Sequence, residues 1–266
     1  MNRNTDSYYS HYEQYRETSK DRNRIRLHEK YRTYQYPWWL WVFDQLELRP
    51  GMCVLEFSSG SGAIWMHNYQ RLPDKAEFTL SDPSMRMMKS AQHQLGQDGR
   101  FRYLVADIQD SPLVTGQFDV VMANHMLSHA PDLDRAIHSI QRVLKPGGIL
   151  FATANGLRHM YNVYELIQQV APDIRADTGA AERFGLHNAP QRLAPAFSHT
   201  YVTVYPDFLW VTETEPLMQY IRTLPLAAQL SENQIARLTN VIAGCIAAEG
   251  GIHINKSSGL VKARRI

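Results

Sequence analysis

The chain has 266 residues, 44% of them hydrophobic and 20% charged, which is enough apolar mass for one large folded domain and too little charge for a disordered chain. A formal net charge of +2 argues against nucleic-acid binding by bulk electrostatics. Two cysteines, Cys53 and Cys245, make neither a disulfide framework nor a zinc site, no apolar run reaches membrane-spanning length, and the polar start has no apolar signal core; a soluble, cytoplasmic, metal-free protein is expected.

Residues 1–26 are polar, with Tyr8, Tyr12 and Tyr15 at helical spacing. They read either as a frayed helical arm or as a lid that lends tyrosines to a site. Tyr31, Tyr34, Tyr36, Trp38, Trp39, Trp41 and Phe43 then crowd together, with Pro37 in the first turn of a helix through Leu46. Such aromatics pack a sheet edge, or they wall a flat or cationic ligand.

After Pro50-Gly51 the run Cys53–Phe57 reads as a strand buried on both faces. It ends in Glu56-Phe57-Ser58-Ser59-Gly60-Ser61-Gly62 and opens a helix over residues 63–71. Glycines there let the backbone turn tightly beside a ligand, and the helix start directs free N–H groups to the same space. This is the usual opening of a nucleotide-cofactor site in an open α/β sheet. The dinucleotide pattern G-x-G-x-x-G finds Gly60 and Gly62 but meets Trp65 at its third glycine, and no phosphate loop of the form GxxxxGK[ST] is present.

A second strand over 77–80 runs into Ser81-Asp82, with Asp82 twenty residues past Gly62. An acid at that distance accepts hydrogen bonds from two ribose hydroxyls, and it also suits a helix N-cap beside Pro83 and Ser84. An amphipathic helix over 83–95 stops at Gly96. A third strand, Phe101–Val105, leads to Asp107 and Ile108, and a fourth, within Gly116–Asn124, leads to His125. Asp132 or Asp134 caps the next helix, which Leu144-Lys145-Pro146-Gly147-Gly148 ends before a fifth strand over 149–153.

Taken in order, E-x-S-x-G-x-G, the acid at Asp82, F-D-V-V and R-V-L-K-P-G-G resemble the class I S-adenosylmethionine-dependent methyltransferases of the small-molecule kind. Ser58 stands where that family has its first glycine, which a negative φ would allow. The resemblance implies an α/β, Rossmann-like sheet of seven strands in order 3-2-1-4-5-7-6, the seventh antiparallel, with helices on both faces and a helical cap. It implies S-adenosylmethionine as cofactor, held by Glu56, Ser58, Gly60, Gly62, Asp82, Pro83, Asp107, Ile108 and Asn124. Asp107 would bind the adenine amino group and Ile108 would pack on the ring. His129 falls at a family position that packs the following helix.

The remaining sequence predicts an amphipathic helix near 157–170 with His159 outside it, a sixth strand over 200–205, helices near 215–222 and 231–250, and a last strand from Ile252–Ile254 and Leu260–Ala263, either continuous or interrupted at Ser257-Ser258-Gly259. The expected division is a helical arm or lid over 1–45 and a methyltransferase domain over 46–266, with cap elements near 156–198 and 206–250. Because the resemblance implies methyl transfer by an SN2 step, most catalysis would come from alignment and exclusion of water. An acceptor of high pKa would need a base, for which His125 is the best-placed candidate; His28 would serve only if the arm folds over. Ala123-Asn124-His125-Met126 replaces the N/D-P-P-Y/F motif of base-methylating enzymes, so a small metabolite is the expected acceptor, in a monomer or homodimer. Two rivals stay open: a member of the fold that transfers no methyl, such as a cyclase or regulator, and a nicotinamide oxidoreductase.

Overall fold

The computed structural model describes residues 19–266, with side chains from residue 23 onward; the tyrosines of the expected arm lie outside the described residues. In chain order the elements are α1 (Ser19–Tyr31), α2 (Trp38–Asp44), β1 (Cys53–Phe57), α3 (Ala63–His67), β2 (Glu77–Asp82), α4 (Met85–Leu95), β3 (Phe101–Val105), β4 (Phe118–Asn124), α5 (Leu133–Val143), β5 (Leu144–Asn155), α6 (Tyr161–Gln168), α7 (Gly179–Arg183), α8 (Ala189–Leu193), β6 (Phe197–Val204), β7 (Phe208–Val211), α9 (Thr214–Ile221), α10 (Glu232–Glu249), β8 (Ile252–Asn255) and β9 (Ser258–Arg265).

The chain divides into two compact units. The sheet unit comprises Tyr36–Leu157, Thr178–Tyr205 and Ser257–Ile266. The helical unit comprises residues up to Gln35 together with Arg158–Asp177 and Pro206–Lys256. These limits differ from the expected ones. Residues 36–45 belong with the sheet, as do residues 178–205, which carry α7, α8 and β6.

In the sheet unit seven strands run in the order β3-β2-β1-β4-β5-β9-β6. β1 to β5 pair in parallel, and β9 lies antiparallel between β5 and β6. This is the order expected above, with β9 as its seventh strand. Period-two alternation sends successive side chains to opposite faces. Leu55 and Phe57 join the core with Ile137, Ile140 and Val143 of α5 and Leu193 of α8. On the other side Phe78 meets Trp65 of α3, whose ring in turn meets Phe43 of α2. Val54, Leu55 and Phe57 are fully buried, as a central parallel strand requires. The helix α5 ends at Val143 with Leu144 as its C-cap, where the L-K-P-G-G stretch was expected to end it, but β5 starts earlier than expected, since Leu144 already pairs with Phe118 of β4.

In the helical unit β7 and β8 form their own two-stranded sheet, pairing Leu209 with Ile254. Their buried residues pack with Leu27 and Tyr31 of α1, Val163 and Ile167 of α6, Leu217 and Ile221 of α9, and Leu238 and Ile242 of α10. Ser231 starts α10 with a reciprocal capping box to Gln234, and Gly250 ends it in a left-handed turn. Asp207 is the polar centre of this unit. Its Oδ1 accepts the backbone N–H of Thr33 and of Tyr34, both at 3.0 Å, and its Oδ2 accepts from Lys256.

The expected single last strand is therefore two strands in two sheets. Lys256 is tied to Asp207 in the helical unit, whereas in the sheet unit the Ser257 carbonyl accepts from Gly156 N–H and the Ser258 hydroxyl donates to Asn155. Opposite anchors on adjacent residues turn the chain beside Ser257-Ser258-Gly259, where an interruption was anticipated. The partner strand β7 was missed as well. Phe208-Leu209-Trp210-Val211 alternates exposed and buried residues, a pattern too short to stand out in sequence.

Candidate cofactor site

At the carboxyl ends of β1, β2 and β4 the sheet unit gathers Glu56, Gly60, Gly62, Asp82 and Asn124. The loop after β1 owes its shape to two glycines. Gly62 sits at φ 77 as the N-cap of α3, and a Cβ there would come within 3.1 Å of Leu95 and 3.3 Å of Leu80. Gly60 sits at φ 56, and a Cβ there would meet nothing within 4 Å. One glycine thus allows close packing of α4, and the other leaves its outer side open.

Asp82, buried at the end of β2, holds this loop. Its Oδ2 accepts Gly60 N–H at 3.0 Å and its Oδ1 accepts Ser84 N–H at 2.8 Å. Ser84, not Asp82, caps α4, through its hydroxyl and Met87 N–H. Each Asp82 oxygen keeps capacity for a further donor, since a carboxylate offers about four lone-pair sites. Ser59, also buried, has a hydroxyl with no hydrogen-bond partner.

Ser58 adopts φ 51. This corrects the expectation of a negative φ at the position of the family's first glycine. The serine accepts a left-handed conformation that crowds its Cβ against the following carbonyl. The loop geometry of the glycine is kept, at a cost in strain.

Glu56 lies beneath the loop. Its carboxylate accepts from the Trp65 indole N–H at 2.6 Å and from the Asn124 side-chain amide. Burial pushes its pKa up to about 7 against these two hydrogen bonds, and the nearby Asp82 charge adds to the rise. Trp65, the residue that spoils the dinucleotide pattern, therefore has a positive role here: it fills the space beside β1 and clamps the acid. The signal available in the sequence was a large donor side chain nine residues after a strand-end glutamate.

Asp107 is exposed at the end of β3 and accepts Gln109 N–H at 2.8 Å, while Ile108 is buried in the core. Pro83 is exposed beside Asp82. His129 is exposed, contrary to the packing position expected for it. His125 follows β4 at φ 49, its backbone N–H held by the Thr153 hydroxyl at 3.0 Å and the Thr153 carbonyl at 3.2 Å. Burial lowers the His125 pKa to about 4, helped by the positive potential of His129. The imidazole is neutral at pH 7.

His28 belongs to the helical unit. Its ring stacks on His159 at 6.2 Å and meets the edge of Tyr220 at 6.1 Å, and its Nδ1 has no hydrogen-bond partner. Burial, then the Lys256 charge, lowers its pKa to about 3. Among the described residues no cluster of three or more His, Cys, Asp or Glu could hold a metal, and no helix is long and apolar enough to cross a membrane.

A parallel sheet whose first strand ends in an open glycine loop, gripped by an acid from the second strand, defines a nucleotide-cofactor fold of the doubly wound α/β class. Residues 55–152 match the family model described as a methyltransferase domain. Over 136 residues the chain is 30% identical to the ubiquinone/menaquinone biosynthesis C-methyltransferase UbiE of Shewanella sediminis, covering 48% of this chain and 54% of that one. The chain spans about half the length of the curated relatives it matches. Phosphoethanolamine N-methyltransferase 2 of Haemonchus contortus, solved with S-adenosyl-L-methionine, shares the fold at a TM-score of 0.53 and 16% identity, over 85% of this chain and 52% of that one. The cyclase SpnF shares it at a TM-score of 0.52 and 20% identity, over 85% of this chain and 79% of that one. The strand order is that of the methyltransferase-like fold, and the match to a methyltransferase domain model falls on residues 55–152 of its sheet unit.

Proposed function

We propose that this chain binds S-adenosylmethionine at the loop after β1 and transfers its methyl group to a small-molecule acceptor, releasing S-adenosylhomocysteine. The observation that carries the reading is the contact of Asp82 with Gly60 N–H beside open space over Gly60. It supports a pre-built cradle in which one buried carboxylate fixes the loop and keeps lone pairs for ribose hydroxyls. The unpartnered Ser59 hydroxyl and the exposed Asp107 fit the same role.

The cofactor supplies a methyl group already activated on a sulfonium. The chain's own task is then to bind, to orient and to exclude water. Asp82 would take the ribose hydroxyls, and Asp107 the adenine amino group. Ile108, buried in the core, would offer the ring only the edge of its side chain. Asn124 keeps Glu56 in place from β4.

His125 accepts a proton in its neutral form, but burial makes the imidazolium unfavourable and the base weak. That favours acceptors needing little deprotonation, a carbon nucleophile, a thiolate or an amine, over an alcohol. The relative named as a C-methyltransferase is consistent with carbon, although the match covers only half of either chain.

Calorimetry with S-adenosylhomocysteine and with NADH, followed by turnover of S-adenosylmethionine against an acceptor panel, tests the reading. Tight S-adenosylhomocysteine binding with product formation is expected. Tighter binding of NADH would reverse the cofactor assignment. Cofactor binding with no turnover on any acceptor would place the chain with fold members that transfer no methyl.

A further inference from the structure

Beside the end of β4 the sheet unit carries an array of rings that the cofactor loop does not use. Trp38 and Trp41 on α2 stack at 5.5 Å and 26°. Trp38 meets His125 at 5.6 Å and 31°. Tyr205 closes the back of the array, edge-on to Trp38 at 5.1 Å and 87° and to Trp41 at 5.2 Å and 63°. Exposure separates two layers. Trp41 and Tyr205 are buried, at 8% and 2%, while Trp38 and His125 are only half-buried. The inner pair is structural, and the outer pair presents ring surface.

Both outer rings are held in place. The Tyr205 hydroxyl donates to the Tyr36 carbonyl, next to Pro37 at the start of α2. The His125 backbone takes a left-handed conformation, unusual for a non-glycine residue, and two Thr153 acceptors hold it there. Strain kept by two hydrogen bonds at a strand end points to a required side-chain direction. The neutral imidazole and the indole lie in contact at a modest 31° tilt, without net charge. Rings so arranged extend a stack; a cage for a cation needs rings inclined about one point.

We propose that Trp38 and His125 form the platform that receives the acceptor, and that the acceptor carries a planar aromatic group. This rests on the methyltransferase reading and names its substrate class. It assigns to Trp38, from a helix N-terminal to the matched methyltransferase region, the selection of flat acceptors. His125 then acts first as a ring and only second as a base.

The test uses the full chain and two probes with the same carbon skeleton, 2-naphthol and its saturated analogue decahydro-2-naphthol. Their dissociation constants are measured by calorimetry, with and without saturating S-adenosylhomocysteine. The expected result is 2-naphthol binding about tenfold tighter than the saturated alcohol, the size of one aromatic pair. Trp38→Leu should bring the ratio close to one, Trp38→Phe should keep most of it, and His125→Phe should preserve it while His125→Ala reduces it. Trp39→Leu, one residue along the same helix, should leave it unchanged. Equal binding of the two probes to the unmodified chain, with or without S-adenosylhomocysteine, overturns the platform. So does an unchanged ratio in both Trp38→Leu and His125→Ala. Should Trp38→Leu fail to fold, the contrast between His125→Phe and His125→Ala decides alone. Loss of S-adenosylhomocysteine binding by the unmodified chain would count against the cofactor reading, and the probe ratio without it would still judge the platform.

Discussion

The two units treat buried charge in opposite ways. In the sheet unit the buried acids, Glu56 and Asp82, have no cationic side chain as hydrogen-bond partner; Asp82 is met by backbone N–H groups, and Glu56 by an indole and an amide. In the helical unit Asp207, fully buried, is neutralised by Lys256, itself mostly buried, and also accepts two backbone N–H groups. The first arrangement leaves acids able to accept more donors. The second has both charges committed to each other, and it joins three separate stretches of chain. A site for ligands and a joint in the fold are thus distinguished by what meets the carboxylate.

The largest effect should come from breaking that joint. Lys256→Met leaves Asp207 charged and without its cation, and should destabilise the chain by about 3–5 kcal/mol in denaturant unfolding. Adding Asp207→Asn should recover part of the loss. A single variant as stable as the parent would erase the contrast between the units. Next, Asp82→Ala removes the acceptor of Gly60 and Ser84 N–H together with the proposed ribose contact. Charge-assisted hydrogen bonds contribute ~1.5–3 kcal/mol each, so S-adenosylhomocysteine affinity should fall by roughly ten- to a hundredfold in calorimetry. Unchanged affinity would remove Asp82 from the site.

The third prediction concerns pH. Burial pushes the Glu56 carboxyl up to about 7 in the folded chain, above the ordinary glutamate value of 4.5. Between these values the folded chain holds a proton that the unfolded chain has released. Its contribution to stability is therefore complete below pH 4.5 and lost as pH rises to 7, at roughly 1.4 kcal/mol per pH unit. Glu56→Gln should flatten melting temperature against pH across this window, and an unaltered slope would show that Glu56 is ionised throughout. Smallest is Ser58→Gly. Relief of a left-handed residue, less the entropy that glycine loses on folding, should stabilise by about 0.5–1 kcal/mol. A loss of stability would mean that the serine side chain makes a contact worth more than its strain.

Legibility followed the same division. The strand-loop-helix at Cys53–Ala63 and the acid at Asp82 could be read in advance, because each is encoded by a short local pattern with fixed spacing; the sheet order followed only from the family resemblance that those motifs carry. The role of Trp65 could not, since it depends on a hydrogen bond to Glu56 across the loop. The sign of φ at Ser58 was misread because a residue type states a preference and the surrounding turn decides the outcome. That β8 and β9 belong to different sheets escaped because its cause, Lys256 on Asp207 and Ser258 on Asn155, joins residues 49 and 103 positions apart.

By itself the sequence determined the parallel strands β1 to β5 and the glycine loop after β1. Hydrophobic period, turn residues and helix caps act over a few positions and leave a readable record there. Only the tertiary structure decided that the helical unit is assembled from three stretches, that burial pushes the Glu56 carboxyl up to about 7, and that Trp38 lies against His125. Those outcomes depend on which distant groups exclude water from one another, and burial is a property of the folded neighbourhood.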